Sequence, residues 1–173
     1  MTHSRFSALQ IAFHWLTAAL ILLIVALPYG SEAFFEALLG GKGNVFTLHK
    51  SLGVLVLLLT VLRLCMRRRA QPLEAKAPLE RFLVKAGHGL LYLLLLAMPL
   101  SGLLFGSRPF SLFWLVEVGP LPLSADLRGL AKDVHILAQY LLFAMILGHA
   151  GAALWHHYVR RDDTLKGMLP LLR

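Results

Sequence analysis

Carboxylates are scarce in this chain. Only nine Asp and Glu occur in 173 residues, and none falls inside its four long apolar runs. A proton relay through a membrane usually mixes Asp or Glu among its histidines, so that class loses ground at once. Cysteine is almost missing: Cys65 stands alone. A lone thiol excludes an internal disulfide, a Cys-rich zinc site and an iron–sulfur cluster ligated by this chain alone. Charged residues of both signs make up only 15%, against 58% hydrophobic residues and a mean hydropathy of +0.70. That balance belongs to membrane proteins rather than soluble domains. No internal repeat or low-complexity tract interrupts it, and the length suits one domain spanning 1–173.

The net charge is +8 and the isoelectric point near 10.2. Such a surplus can mark a nucleic-acid binder, but here the charges lie between apolar runs, where they act as a topology signal. The chemistry therefore implies no nucleic acid, with membrane lipid as the surrounding partner. Four transmembrane helices are predicted, at about Ile11–Pro28, Phe46–Met66, Ala86–Gly106 and Val134–Val159. The first shares a basic start and apolar run with a secretory signal. No small-x-small cleavage site precedes YGSEAFF, however, and His14 sits inside the run, so an uncleaved helix is expected. Pro99 in the third run is tolerable as a kink packed against neighbouring helices.

Tyr29–Val45 reads as a polar, Gly-rich connection (LLGGKGN). The segment AQPLEAKAPLERFLVK reads as a basic linker without a core of its own. Ser107–Asp133, with PFSLFWLVEVGPLPL, is the longest loop and is apolar enough to lie along the membrane surface. Counting Lys and Arg orients the chain. With the N-terminus inside, the inner segments hold 12 of 17 basic residues and a charge of +8, while the outer segments balance to zero. Both termini are therefore expected in the cytoplasm. The fold class is an all-α, integral membrane four-helix bundle.

The last run carries His135, His149 and His156. Spacings of 14 and 7 residues are nearly four and nearly two helical turns, so all three imidazoles fall on one stripe. The first two are about 21 Å apart along the axis at 1.5 Å per residue. With alternating helix directions, His14, His88 and His149 lie toward the cytoplasmic side, and His49 and His135 toward the outer side. Two histidines at one depth on facing helices can supply both axial ligands of a haem iron. The outer pair admits one assignment, His49 with His135. The inner pair is His149 with either His14 or His88. No C-x-x-C-H is present, so such haem would be held without thioether bonds. Gly53, Gly87, Gly89, Gly148 and Gly151 stand near these positions, where small residues admit a flat macrocycle or simply let helices pack. A zinc or copper site is disfavoured by the missing thiolates, leaving a haem-free His-lined transporter as the competing class.

The segments LQIAFHW, HKSLG, GHGLLYLLLLAMPLSGL and VHILAQYLLFAMILGHAGAALWHHYVRRDDTLKGMLP resemble the bacterial cytochrome b561 family. In its core that family is similar to the cytochrome b subunits of membrane-bound hydrogenases and formate dehydrogenases. The resemblance implies four membrane helices and two haem b groups, ligated by His14 with His149 on the inner side and His49 with His135 on the outer. It implies for His88 a propionate contact or a supporting hydrogen bond. It also implies quinone reduction near the inner haem, where His156, with Trp155 and Arg160 beside it, can hydrogen-bond a quinone such as ubiquinone and pass a proton.

Lys50, Lys132 and Arg128 form a basic cluster at the outer haem, suited to propionates or to steering an anion. Some members of the family oxidise superoxide outside and reduce ubiquinone. The expected function is thus electron transfer across the bacterial inner membrane, from a periplasmic electron donor, superoxide being preferred, to a quinone. The alternative within the family is a membrane anchor serving a partner redox subunit of a larger complex.

Overall fold

The computed structural model describes residues 6–30, 32–67 and 77–169. Its elements run α1 Ala8–Tyr29, α2 Glu32–Leu39, α3 Lys42–Arg67, α4 Pro78–Phe105, β1 Phe110–Leu112, β2 Val116–Val118 and α5 Ala125–Trp155. A π turn at His156–Arg160 and the short α6, Thr164–Met168, complete it. Helices α1, α3, α4 and α5 are each long and apolar enough to cross a membrane. The bundle expected from the apolar runs is therefore present.

Local chemistry explains where the helices begin. Ser7 caps α1 through a capping box: its Oγ accepts the Gln10 N–H at 3.2 Å, and Gln10 Oε1 accepts the Ser7 N–H at 3.0 Å. Pro28 in the last turn removes a donor, and the chain leaves the helix at Gly30, where a Cβ would stand 2.5 Å from Ala26 O. Gly40 and Gly41, with φ of 77° and 124°, reverse the chain between α2 and α3. Pro78 opens α4 at its first position, and Ser124 caps α5 by accepting the Leu127 N–H.

These start signals overrule the apolar boundaries. Helix α3 begins at Lys42 rather than Phe46, α4 at Pro78 rather than Ala86, and α5 at Ala125 rather than Val134. The supposed linker is thus helical from Pro78, and the Gly-rich connection contains α2. His88, expected at a helix start, lies in the third turn of α4. The 107–133 loop is shorter than predicted. It forms an antiparallel hairpin, Phe110 opposite Val118 and Leu112 opposite Val116, turning through Phe113 and Trp114 in left-handed conformation. The hairpin sits on α3: Phe113 N–H donates to Ser51 Oγ at 2.9 Å and Trp114 Nε1 to Asn44 Oδ1 at 3.1 Å.

Close packing runs in sequence, α1 on α3, α3 on α4 and α4 on α5; α1 and α5 are not among the closely packed pairs. Val56, Leu94, Leu95, Ala138 and Leu142 form the central core, and Leu27, Val45 and Leu52 a second one. Thr17, Ser51, Thr60 and Ser101 are buried, and each hydroxyl donates to the carbonyl four residues earlier. That bond lets a hydroxyl sit between membrane helices without an unpaired donor. Outward, Leu22, Leu93 and Leu147 are 70%, 61% and 74% exposed, a surface made for lipid.

One end of the bundle gathers the start of α1, the end of α3, the start of α4 and the tail. Gln10 Nε2 donates to Met66 O, Trp15 Nε1 to Met168 O, and Arg160 pairs with Glu80. Arg5, Arg68, Arg69, Lys76 and Arg173, which weigh in the orientation, lie outside the described residues, as do the chain termini.

Candidate functional site

Two histidine stations occupy the bundle. At the hairpin end, His49 of α3 donates from Nδ1 to Ile24 O of α1 at 3.1 Å. His135 of α5 donates from Nδ1 to Met98 O of α4 at 2.9 Å, with Ser101 Oγ at 3.2 Å. A carbonyl oxygen only accepts, so Nδ1 carries the proton in both rings. Their Nε2 atoms are then left with the free lone pair, which is the tautomer that binds a metal. Gly102 makes room for His135: a Cβ there would lie 3.2 Å from Cε1.

At the opposite end, His14, His88 and His149 converge. The ring centroids of His14 and His149 are 6.2 Å apart, and those of His88 and His149 are 5.3 Å apart at 87°. Two imidazoles bound on opposite sides of one metal by bonds of about 2 Å place their centroids roughly 6 Å apart. The His14–His149 spacing fits that arrangement, and the perpendicular His88 contact is too short for it. Tautomers cut the other way. His88 Nδ1 donates to Val84 O at 2.7 Å, leaving Nε2 free, whereas His14 Nδ1 faces Arg63 Nη2 at 3.1 Å. Arg63 is donor-only, so His14 accepts at Nδ1 and its neutral ring holds the proton at Nε2. Ligation by His14 therefore requires Arg63 to release Nδ1. The spacing favours His14, whereas the hydrogen bonds leave a free Nε2 on His88.

The remaining candidates are scattered between the two ends. His156 Nδ1 donates to Asp162 Oδ2 at 2.6 Å. Burial pushes the Asp162 carboxyl up, but the hydrogen bonds from His156 and Thr164 outweigh it and hold the group at about 2. Arg160 is tied to Glu80 at 2.7 Å, and Trp155 is half exposed. The neighbouring His157 has a buried Nδ1 without a partner among the described residues.

At the hairpin end, Lys50 lies over the Phe110 ring at 5.1 Å and lines a cavity of about 210 Å³ with Gly102 and Arg108. Arg128 does not join it: its guanidinium donates to Gly106 O and Leu121 O, pinning the loop. Lys132 is exposed and stands apart from the cavity lining. Arg108, which the basic-cluster reading missed, takes their place. Gly102, Ser101 and Asp162 were equally unmarked by any motif.

An α-helical membrane bundle carrying imidazoles at two levels, with one facing pair at metal-bridging distance, is the frame of a membrane b-type cytochrome for electron transfer. Among the described residues, no group of three or more His, Cys, Asp or Glu is placed to hold a metal ion. Residues 5–171 match the family described as prokaryotic cytochrome b561. Among relatives, the chain is 32% identical to the probable superoxide oxidase CybB of Yersinia pestis over 99% of both chains. It is 31% identical to cytochrome b561 homolog 2 of Escherichia coli (strain K12) over 97% of this chain and 93% of that one. It is 30% identical to cytochrome b562 of Cereibacter sphaeroides over 95% and 94%. The chain belongs to the prokaryotic cytochrome b561 family. It is a multi-pass protein of the bacterial inner membrane that binds haem b, and the haem-free transporter is set aside.

Proposed function

We propose that this cytochrome carries electrons from a donor outside the inner membrane to a quinone at the cytoplasmic side, using two haem b groups. His14 with His149 would hold one, and His49 with His135 the other. The observation that carries the reading is the 6.2 Å spacing of the His14 and His149 rings. Haem supplies the one-electron redox chemistry when bound, and the protein supplies ligation, spacing and electrostatics. Backbone carbonyls of Ile24 and Met98 hold Nδ1 of His49 and His135, which leaves each Nε2 as the ligating nitrogen.

The likeness to a probable superoxide oxidase supports superoxide as donor. Lys50 and Arg108 would hold propionates or draw that anion to the outer station, with Lys132 and Arg128 adding positive charge around it. Two superoxide ions give up two electrons and leave as two molecules of oxygen; the quinone takes those electrons and two protons to become a quinol. At the cytoplasmic end His156 is the proton donor. Its Nδ1 is held by Asp162, so Nε2 is the nitrogen that bonds a quinone oxygen, flanked by Trp155 and Arg160. His88 supports the inner site from α4. The single domain 1–173 has both termini in the cytoplasm, as the Lys and Arg distribution supports.

The test is a dithionite-reduced optical spectrum of the purified chain with haem quantified per protein, followed by superoxide-dependent reduction of ubiquinone in detergent. Two haems per chain and quinol formation without a companion subunit are expected. A single haem overturns the paired-station reading. Quinone reduction that needs an added subunit moves the chain to the anchor role.

A further inference from the structure

Helix α3 carries a second group that the electron-transfer reading leaves unused. Arg63 follows His49 by 14 residues, the same interval that separates His135 from His149 on α5. Fourteen residues advance a helix by about 21 Å and return to nearly the same face. Where α5 places its second imidazole, α3 therefore places a guanidinium. It points into the bundle: Nη2 is 3.1 Å from His14 Nδ1, and the guanidinium carbon is 5.7 Å from the Tyr92 ring centroid. Among the described residues no carboxylate pairs with it, whereas Asp162 pairs with His156, Glu80 with Arg160 and Asp163 with Lys166. An intramembrane cation facing the bundle interior calls for an anion, and an aromatic face and an imidazole do not neutralise it.

We propose that Arg63 binds an oxyanion of the inner macrocycle, a haem propionate, and that it leaves His14 Nδ1 to do so. The proposal rests on the reading of His14 and His149 as ligands. It also resolves the tautomer conflict there. An Arg63 drawn away to a carboxylate frees His14 Nδ1 to carry the ring proton and Nε2 to bind iron. A planar guanidinium offers paired donors matched to a carboxylate. Its positive charge beside the inner site favours the reduced, more negative state of that haem alone.

The test compares Arg63→Gln and Arg63→Lys with the wild-type chain, by spectroelectrochemical titration and by redox-difference infrared spectroscopy with haem isotopically labelled at its propionates. Arg63→Gln should lower the inner midpoint potential and shift the labelled carboxylate bands, leaving the outer haem where it was; Arg63→Lys should fall between. Labelled bands and inner potential both unmoved in Arg63→Gln overturn the proposal, and would assign the oxyanion to a lipid headgroup or free phosphate instead. If Arg63→Gln loads no inner haem, Arg63→Lys decides: bands shifted support the proposal, and bands unmoved or an empty inner site overturn it. A wild-type chain with one haem fails the two-haem reading before Arg63 is altered, so the two failures are distinguishable.

Discussion

Gly102 of α4 lies directly against His135 of α5, so close that a methyl group at position 102 would stand 3.2 Å from Cε1 and 3.4 Å from Nδ1. The contact sets the ring against α4, where the Met98 carbonyl and Ser101 hydroxyl receive its Nδ1–H. Gly102→Val should push the ring off those partners at an overpacking cost of about 1–3 kcal/mol. The expected outcome is loss of the outer haem with the inner one retained, read as a fall in haem per protein. Gly102→Ala should have the same direction and a smaller size. Full occupancy in the Val variant would detach Gly102 from ligation.

Three imidazoles meet at the His149 station, where the proposed bis-histidine ligation would use two, and substitution separates them. His14→Ala and His149→Ala should each remove the inner haem. His88→Ala should leave haem content unchanged, because its 5.3 Å perpendicular contact with His149 leaves no room for an iron between the rings. His49→Ala should remove the outer haem and spare the inner. Reduced-minus-oxidised spectra with haem extraction read all four. Loss of the inner haem from His88→Ala, with His14→Ala unaffected, would reverse the assignment on α1 and α4.

Ser51 joins the hairpin to the bundle. It is fully buried, donates to Thr47 O at 2.8 Å and accepts the Phe113 N–H at 2.9 Å. Ser51→Ala strands that half-buried N–H, at a cost of about 1 kcal/mol. A lower melting temperature in detergent is expected, with faster hydrogen exchange at Phe113. An unchanged exchange rate there would show that the hairpin holds its place without the hydroxyl.

The apolar runs made the four spans legible, because a lipid-facing helix must be apolar along its whole buried length. They did not mark where the helices start. Pro78-Leu79-Glu80-Arg81 and Ala125-Asp126-Leu127-Arg128 are charged turns outside the apolar runs, and only Pro78 and Ser124 announce them. The 14-residue interval from His135 to His149 was readable because it is a property of one helix. What orients the histidines was not. Ile24 O, Met98 O and Val84 O are backbone atoms that any residue would supply, so no side chain advertises them. Arg108 escaped notice because only the fold of a loop brings it to the cavity that Lys50 lines, and Arg128 is spent on carbonyls.

Asp162 gives the π-turn end of α5 a pH dependence with a definite sign. Its carboxyl falls from 3.8 to about 2 because His156 and Thr164 donate to the ionised form more strongly than burial opposes it. A depressed folded value means the contribution is fully present above the unfolded value of 3.8 and is lost as pH falls toward 2. The bonds at risk are His156 Nδ1 to Oδ2 at 2.6 Å and the Thr164 N–H to Oδ1 at 3.0 Å, which together close the turn after the π segment. The Thr164 amide should therefore be protected from hydrogen exchange at neutral pH, after correction for intrinsic rate, and lose that protection between about pH 4 and 2. Asp162→Ala should show the unprotected amide at neutral pH and no acid transition. Quinone reduction should weaken in the same variant, because the His156 ring loses the partner that fixes its Nδ1. A Thr164 amide that stays protected at pH 2 would show that α6, through Trp15 on Met168 O, closes this end without the carboxylate.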